Sequence, residues 1–135
     1  MQTEELKQFK GCDETLPDEK QIYIVDDDQS VRRALKLLML AYGFAVETFS
    51  SSEDFFSAIP NSTPGCLILD INMPGLSGWE AQQILLRKRS GRPVIFITAD
   101  RNVSFREKAL KAGARGILQK PFVDKELIEL INRAI

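Results

Sequence analysis

The chain has 135 residues, 44% apolar and 27% charged, with a net charge of -1, the profile of an ordinary globular domain able to bury a sizeable core. That charge leaves no electrostatic footprint for nucleic acid or an anionic membrane, and the longest nearly unbroken apolar stretch, Leu37 to Val46, contains Gly43 and is too short to span a bilayer. With no histidine, imidazole acid–base catalysis and His-ligated zinc are excluded. Cys12 and Cys66 suggest neither a disulfide framework nor a metal site, no secretory leader is read, and a reducing cytoplasm is the expected compartment.

Residues 1–20 are polar and net acidic, with Gly11 and Pro17 breaking any pattern, and read as a tail preceding a domain over 21–135. Ile22–Val25 is a predicted strand ending in three acids, Asp26, Asp27 and Asp28. A helix follows, with Val31, Ala34, Leu35, Leu38 and Tyr42 at helical spacing and Gly43 closing it. Phe44–Phe49 is the second strand, and Ser51 opens a short helix toward Ile59. Beyond Pro60, Pro64 and Gly65, the run Cys66–Leu69 suits a strand buried on both faces, and it stops at a carboxylate, Asp70. Pro74, Gly75 and Gly78 then impose a loop, and Ser77 to Glu80 reads as a capping box for a helix from Trp79 to near Arg89. Val94–Thr98 is another buried strand. Asn102–Ala112 is a fourth predicted helix, with Phe105, Ala109 and Ala112 on one side and Gly113 at its end. Gly116–Gln119 is the fifth strand, broken at Lys120-Pro121, and Asp124 caps a fifth helix with an apolar stripe of Leu127, Ile131, Ala134 and Ile135. Five strands alternating with five helices predict an α/β, doubly wound parallel sheet.

In such a sheet the carboxyl ends of neighbouring strands converge, which is where ligands bind. They bring together Asp26 and Asp27, Asp70, Thr98 and Lys120. Three carboxylates that close repel one another and raise some pKa values unless a cation sits among them. Oxygen ligands completed by water suit Mg²⁺. A hard cation, an ammonium and a hydroxyl together are built to hold a phosphoryl group, and a carboxylate can be its nucleophile, forming an aspartyl phosphate. Singly, each residue has a plainer role: an acid capping a helix, a strand-end Thr, a solvated Lys. Their conjunction at successive strand ends is much more specific.

From Gln21 to Ile135 the chain resembles the receiver domain of two-component response regulators. The resemblance rests on Val25-Asp26-Asp27-Asp28, on Asp70-Ile-Asn72-Met-Pro74 with Gly78, on Ile97-Thr98-Ala99 and on Lys120-Pro121-Phe122, in matching order and spacing. It implies a flavodoxin-like sheet of strand order 2-1-3-4-5 with five helices. It further implies that Asp70 accepts a phosphoryl group from a histidine kinase or phosphotransfer protein. Asp27 would ligate Mg²⁺ directly, Asp26 mostly through water, with the Asn72 backbone carbonyl as a further ligand beside Asp70. Thr98 and Lys120 would contact the phosphoryl oxygens, and the Lys120-Pro121 bond would be cis. The family's usual partner or homodimer face is formed by the fourth helix, fifth strand and fifth helix, where Arg106, Lys108 and Lys111 fall. Tyr42-Gly-Phe-Ala-Val46 and Lys111-Ala-Gly-Ala114 are similar to receivers that precede a helix-turn-helix DNA-binding domain. The chain itself has no residues for such a domain after the fifth helix, so no direct nucleic-acid binding is expected of it: it reads as a stand-alone receiver or one separated from its effector.

One position departs from the family pattern. Three residues before the site Lys, where members commonly carry Tyr or Phe as a swinging ring, stands Ile117. The expected switch is then movement of Thr98 toward the phosphoryl group, coupled to a branched aliphatic. Asn72 and Asp100, two residues after Asp70 and Thr98, are placed to orient an attacking water and so to set the lifetime of the aspartyl phosphate at seconds to minutes. Three readings compete. A haloacid-dehalogenase-type phosphatase wants a second Asp where Asn72 stands, and a cap domain. A pseudo-receiver acting by constitutive contacts is opposed by the intact acids, Thr98 and Lys120. A flavodoxin would need a phosphate cradle where the acidic Asp70 loop lies.

Overall fold

Five short apolar runs pair side by side and all in parallel, in the order β2-β1-β3-β4-β5. The structure, a computed structural model, describes residues 21–60, 62–71, 92–99, 103–111 and 113–135, with backbone only at 103–105 and 108. In chain order the elements are β1 (Gln21–Val25), α1 (Gln29–Ala41), β2 (Ala45–Phe49), α2 (Ser52–Ala58), β3 (Cys66–Asp70), β4 (Val94–Thr98), α3 (Val103–Lys111), β5 (Gly116–Gln119) and α4 (Asp124–Ala134). The expected order 2-1-3-4-5 is what the sheet has. Four helices lie among the described residues; the one predicted over 79–89 falls outside them, as does the tail over 1–20.

The central strands β3 and β4 are buried along their whole length, as their unbroken apolar runs require. Alternation along each strand divides the core in two. Ile22, Ile24, Ile68, Ile95 and Ile97 face α1 and α4, which contribute Leu35, Met39, Leu127 and Ile131. Tyr23, Leu67, Leu69, Phe96 and Ile117 face the other way, toward Phe55 of α2 and Ala109 of α3. Register sets Leu69 beside Phe96 and Phe96 beside Ile117, so large and branched side chains interlock across three strands. Among the described residues, no helix is long and apolar enough to cross a membrane.

The helix ends show how local chemistry shapes the chain. After α1 the Gly43 N–H donates to the Leu40 carbonyl and the Phe44 N–H to the Met39 carbonyl, at 3.1 and 3.0 Å, with Gly43 at φ 88. This pair of bonds satisfies carbonyls the helix would leave bare, and the left-handed residue between them favours glycine. Gly113, at φ 108, closes α3 in the same way. At the start of α2 the Ser51 hydroxyl accepts from the Asp54 N–H at 3.1 Å. Ser51→Ala is expected to lower the unfolding free energy by about 1 kcal/mol. A urea midpoint shifted down at unchanged slope would confirm it, and an unchanged midpoint would remove the cap from the account.

Three details correct the sequence reading. The buried stripe of α1 is Leu35 and Met39, with Val31 and Leu38 half-buried, whereas Ala34 and Tyr42 are exposed. Residues 35 and 39 are one turn apart on a single face, and Tyr42 falls past the last helical residue, where the chain turns away. Phe44, expected in β2, is spent in the helix exit, and the strand begins at Ala45. Asp124 is the first residue of α4 and Val123 holds the cap position, its N–H donating to Glu126 Oε1 at 3.1 Å. The buried stripe there is Leu127, Ile128 and Ile131, with Ile135 exposed.

Candidate functional site

Each of β1, β3, β4 and β5 delivers a polar residue to the same edge of the sheet. Asp26 follows Val25 and is only 1% exposed; its N–H continues the ladder to the Phe49 carbonyl at 3.2 Å. Asp70 ends β3 and Thr98 ends β4, both buried. The Thr98 carbonyl accepts the Lys120 N–H at 2.7 Å, tying the residue after β5 to the end of β4. The Lys120–Pro121 peptide is cis.

The three consecutive acids have different surroundings. Asp28 is the N-cap of α1, its Oδ1 accepting from Ser30 and Val31 N–H at 2.8 and 3.3 Å, so its role is structural. The Asp28 N–H in turn donates to Asp26 Oδ1 at 2.9 Å and aims that carboxylate. Asp27 is exposed and opens the cluster toward solvent. One carboxylate oxygen from each of Asp26, Asp27 and Asp70 lies within 4.8 Å of the others.

Lys120 reaches into this cluster, with Nζ 3.4 Å from Asp26 Oδ2 and 3.5 Å from Asp70 Oδ2. A single ammonium thus faces two buried carboxylates. Burial pushes the Asp26 carboxyl above the ordinary range, and the Asp70 carboxylate adds to the rise, while the Asp28 N–H and the Lys120 ammonium oppose it. The pKa rise anticipated from clustered acids is therefore present at Asp26, although desolvation contributes more to it than the Asp70 charge does. The donor set is all oxygen, three carboxylates with one on the solvent side, which fits a small hard cation that keeps part of its water shell.

All of Asp26, Asp27, Asp70, Thr98 and Lys120 are brought to one edge. Asn72 and Asp100 lie outside the described residues. Ile117 is buried, beside Phe96 in the ladder, and Thr98 is the next residue of β4 on that same face. One contact went unread in the sequence: Arg32 Nη1 donates to the Asp26 carbonyl at 2.6 Å. A basic residue one helical turn after the cap Asp28 was the available signal.

An edge of a five-stranded parallel sheet with this acid cluster and lysine narrows the field sharply, and comparison decides it. The family model described as response regulator receiver domain matches residues 22–132. The chain belongs to that family.

The receiver is 41% identical over 114 residues to the response regulator protein TodT of Pseudomonas putida, covering 84% of this chain and 50% of TodT. It is 36% identical to the transcriptional regulatory protein FixJ of Bradyrhizobium diazoefficiens, covering 84% of this chain and 56% of FixJ. Its fold superposes on the response regulator StyR with a TM-score of 0.80 at 40% identity, over 84% of this chain and 58% of that one. The receiver thus spans about half the length of the curated relatives it matches.

Proposed function

We propose that this receiver takes a phosphoryl group onto Asp70 from a phosphohistidine of a sensor histidine kinase or phosphotransfer protein, in a Mg²⁺-dependent step, and changes its partner surface in response. The observation that carries this reading is the Lys120 ammonium held between the buried Asp26 and Asp70 carboxylates, with the Lys120 backbone N–H bonded to the Thr98 carbonyl. In the step, an Asp70 oxygen bonds to phosphorus and the P–N bond to the donor imidazole breaks. The electron pair stays on the imidazole nitrogen, which takes up a proton.

Asp26, Asp27 and Asp70, with the Asn72 backbone carbonyl, would hold Mg²⁺, Asp27 directly and Asp26 mostly through water. When bound, the cation supplies neutralising charge to the phosphoryl oxygens. Lys120 moves its pairing from Asp70 to a phosphoryl oxygen, and the Thr98 hydroxyl donates to another. Asn72 and Asp100 set the rate at which water removes the group. Thr98 and Ile117 share a sheet face, so displacement of the Thr98 side chain is passed to Ile117 and on to the surface of α3, β5 and α4. Arg106 and Lys111 are exposed on α3 and belong to that partner or homodimer face. The receiver, residues 21–135 with 1–20 as a separate tail, acts in the cytoplasm. It is a switch assisting only its own phosphorylation and autodephosphorylation, and its output is the control of transcription through a DNA-binding partner domain.

Beryllofluoride with Mg²⁺ imitates an aspartyl phosphate and tests this without a kinase. Amide resonances of Asp70, Thr98, Ile117 and Lys120 are expected to shift in the wild type and stay in place in Asp70→Asn. A wild type that ignores the mimic would defeat the proposal and favour a pseudo-receiver with constitutive partners.

A further inference from the structure

A groove of about 410 Å³ lies on the outward side of α1 against the edge strand β2, away from the α3–β5–α4 face. Arg32, Arg33 and Lys36 line it together with Leu37, Leu40 and Thr48, and no acid is among the described residues that do. Leu37 and Leu40 are 63% and 50% exposed. Single exposed leucines are unremarkable. Here two of them, three residues apart and so adjacent on the helix surface, are framed by cations with the same spacing at 33 and 36. An apolar floor with a cationic rim fits a short acidic peptide that carries an apolar side chain.

The chain holds such a peptide. Residues 1–20 carry six acids against three lysines, and Asp13-Glu-Thr-Leu-Pro-Asp-Glu19 places four acids around Leu16 with no basic residue. We propose that this N-terminal acidic segment docks in the α1 groove of its own chain, Leu16 against Leu37 and Leu40, its carboxylates against Arg32, Arg33 and Lys36.

Chain geometry permits it. The segment joins the sheet at Gln21, whose register partner is Ala45, only a few residues after the end of α1. Its junction is therefore at the Leu40 end of the groove. Leu40 to Arg32 along α1 is about 12 Å, and the eight residues from Asp13 to Gln21 reach up to about 27 Å when extended. The docked segment would run from Leu40 toward Arg32, whose guanidinium bonds the Asp26 carbonyl.

The test uses the full chain, ¹⁵N-labelled, with a nitroxide on Cys12. Labelling is selective because Cys66 is fully buried and its thiol is pushed up to about 12 by that burial. Amides of residues 33–40 are expected to lose intensity in the wild type and to recover it in the D13N/E14Q/D18N/E19Q chain. Arg33→Glu with Lys36→Glu should also abolish the effect, and adding E14K/D18K to that pair should restore it. Unbroadened α1 amides, broadening that survives charge neutralisation, or broadening transferred to an unlabelled-spin copy in a mixed sample would each overturn intramolecular docking; the last would identify a second copy's segment as the occupant.

Discussion

Incubated with acetyl phosphate and Mg²⁺, the wild-type chain is expected to gain one phosphoryl group by intact mass, and Asp70→Asn none. The substitution keeps the shape of the side chain at the end of β3 while removing the charged oxygen proposed to attack phosphorus. Lys120 Nζ lies 3.4 Å from Asp26 and 3.5 Å from Asp70, so charge pairing alone does not select the acceptor. One oxygen of Asp26 accepts the Asp28 N–H, and Asp70→Asn tests directly which of the two carboxylates takes the group. EDTA should abolish the gain, since without a cation the approaching phosphate meets three carboxylates. Lys120→Ala is expected to slow it about 10²–10³-fold, the usual cost of removing one preorganised charge from a reacting centre. An adduct of equal yield on Asp70→Asn would put the acceptor elsewhere in the molecule, and insensitivity to EDTA would detach the acid cluster from the reaction.

The second large effect is on stability. Asp26→Asn is expected to be more stable than the wild type at neutral pH without divalent cations. The folded protein holds the Asp26 proton more tightly than the unfolded chain does, because burial and then Asp70 raise its pKa. Where the folded state binds more protons, stability falls as pH rises. The ionised carboxylate thus weighs fully against the fold above its folded pKa. That penalty fades as pH drops through the folded pKa toward the ordinary value of 3.8. The stability difference between the two chains should follow the same course, full at pH 7 and shrinking on acidification. Mg²⁺ should reverse the ranking. At ten times its Kd it stabilises the wild type by about 1.4 kcal/mol through mass action, and the variant, lacking one carboxylate of three, by less. Urea titrations at two pH values with and without Mg²⁺ measure both effects. A variant that is weaker than the wild type at pH 7, or equally stabilised by Mg²⁺, would show that the cluster is not strained by its own charge.

The amino-acid order by itself determined the strands and the four helices among the described residues, because β3 and β4 are apolar up to their last residue and glycine or proline marks nearly every break. It also determined which residues stand at the strand ends. Asp70, Thr98 and Lys120 each close a buried run, and residues so placed have one edge of a parallel sheet to occupy. The helix faces were less legible. In and just after α1 the apolar residues outnumber those the core admits, so Leu37, Leu40 and the C-cap Tyr42 compete on paper with Leu35 and Met39. Only packing against Ile22, Ile24 and the rest of that layer selects the buried stripe. Caps shift by a residue for the same reason: a side chain such as Asp124 has the right chemistry, but the turn that precedes α4 places Val123 at the cap.

The differing roles of the acids needed three dimensions as well. Asp26, Asp27 and Asp28 are adjacent and chemically identical, and nothing local ranks them. Strand direction buries Asp26 beside Lys120, the turn leaves Asp27 in solvent, and the start of α1 takes Asp28 as its cap. Burial is a property of what packs around a residue, and the neighbours that matter here are 44 and 94 residues away in the chain, at Asp70 and Lys120.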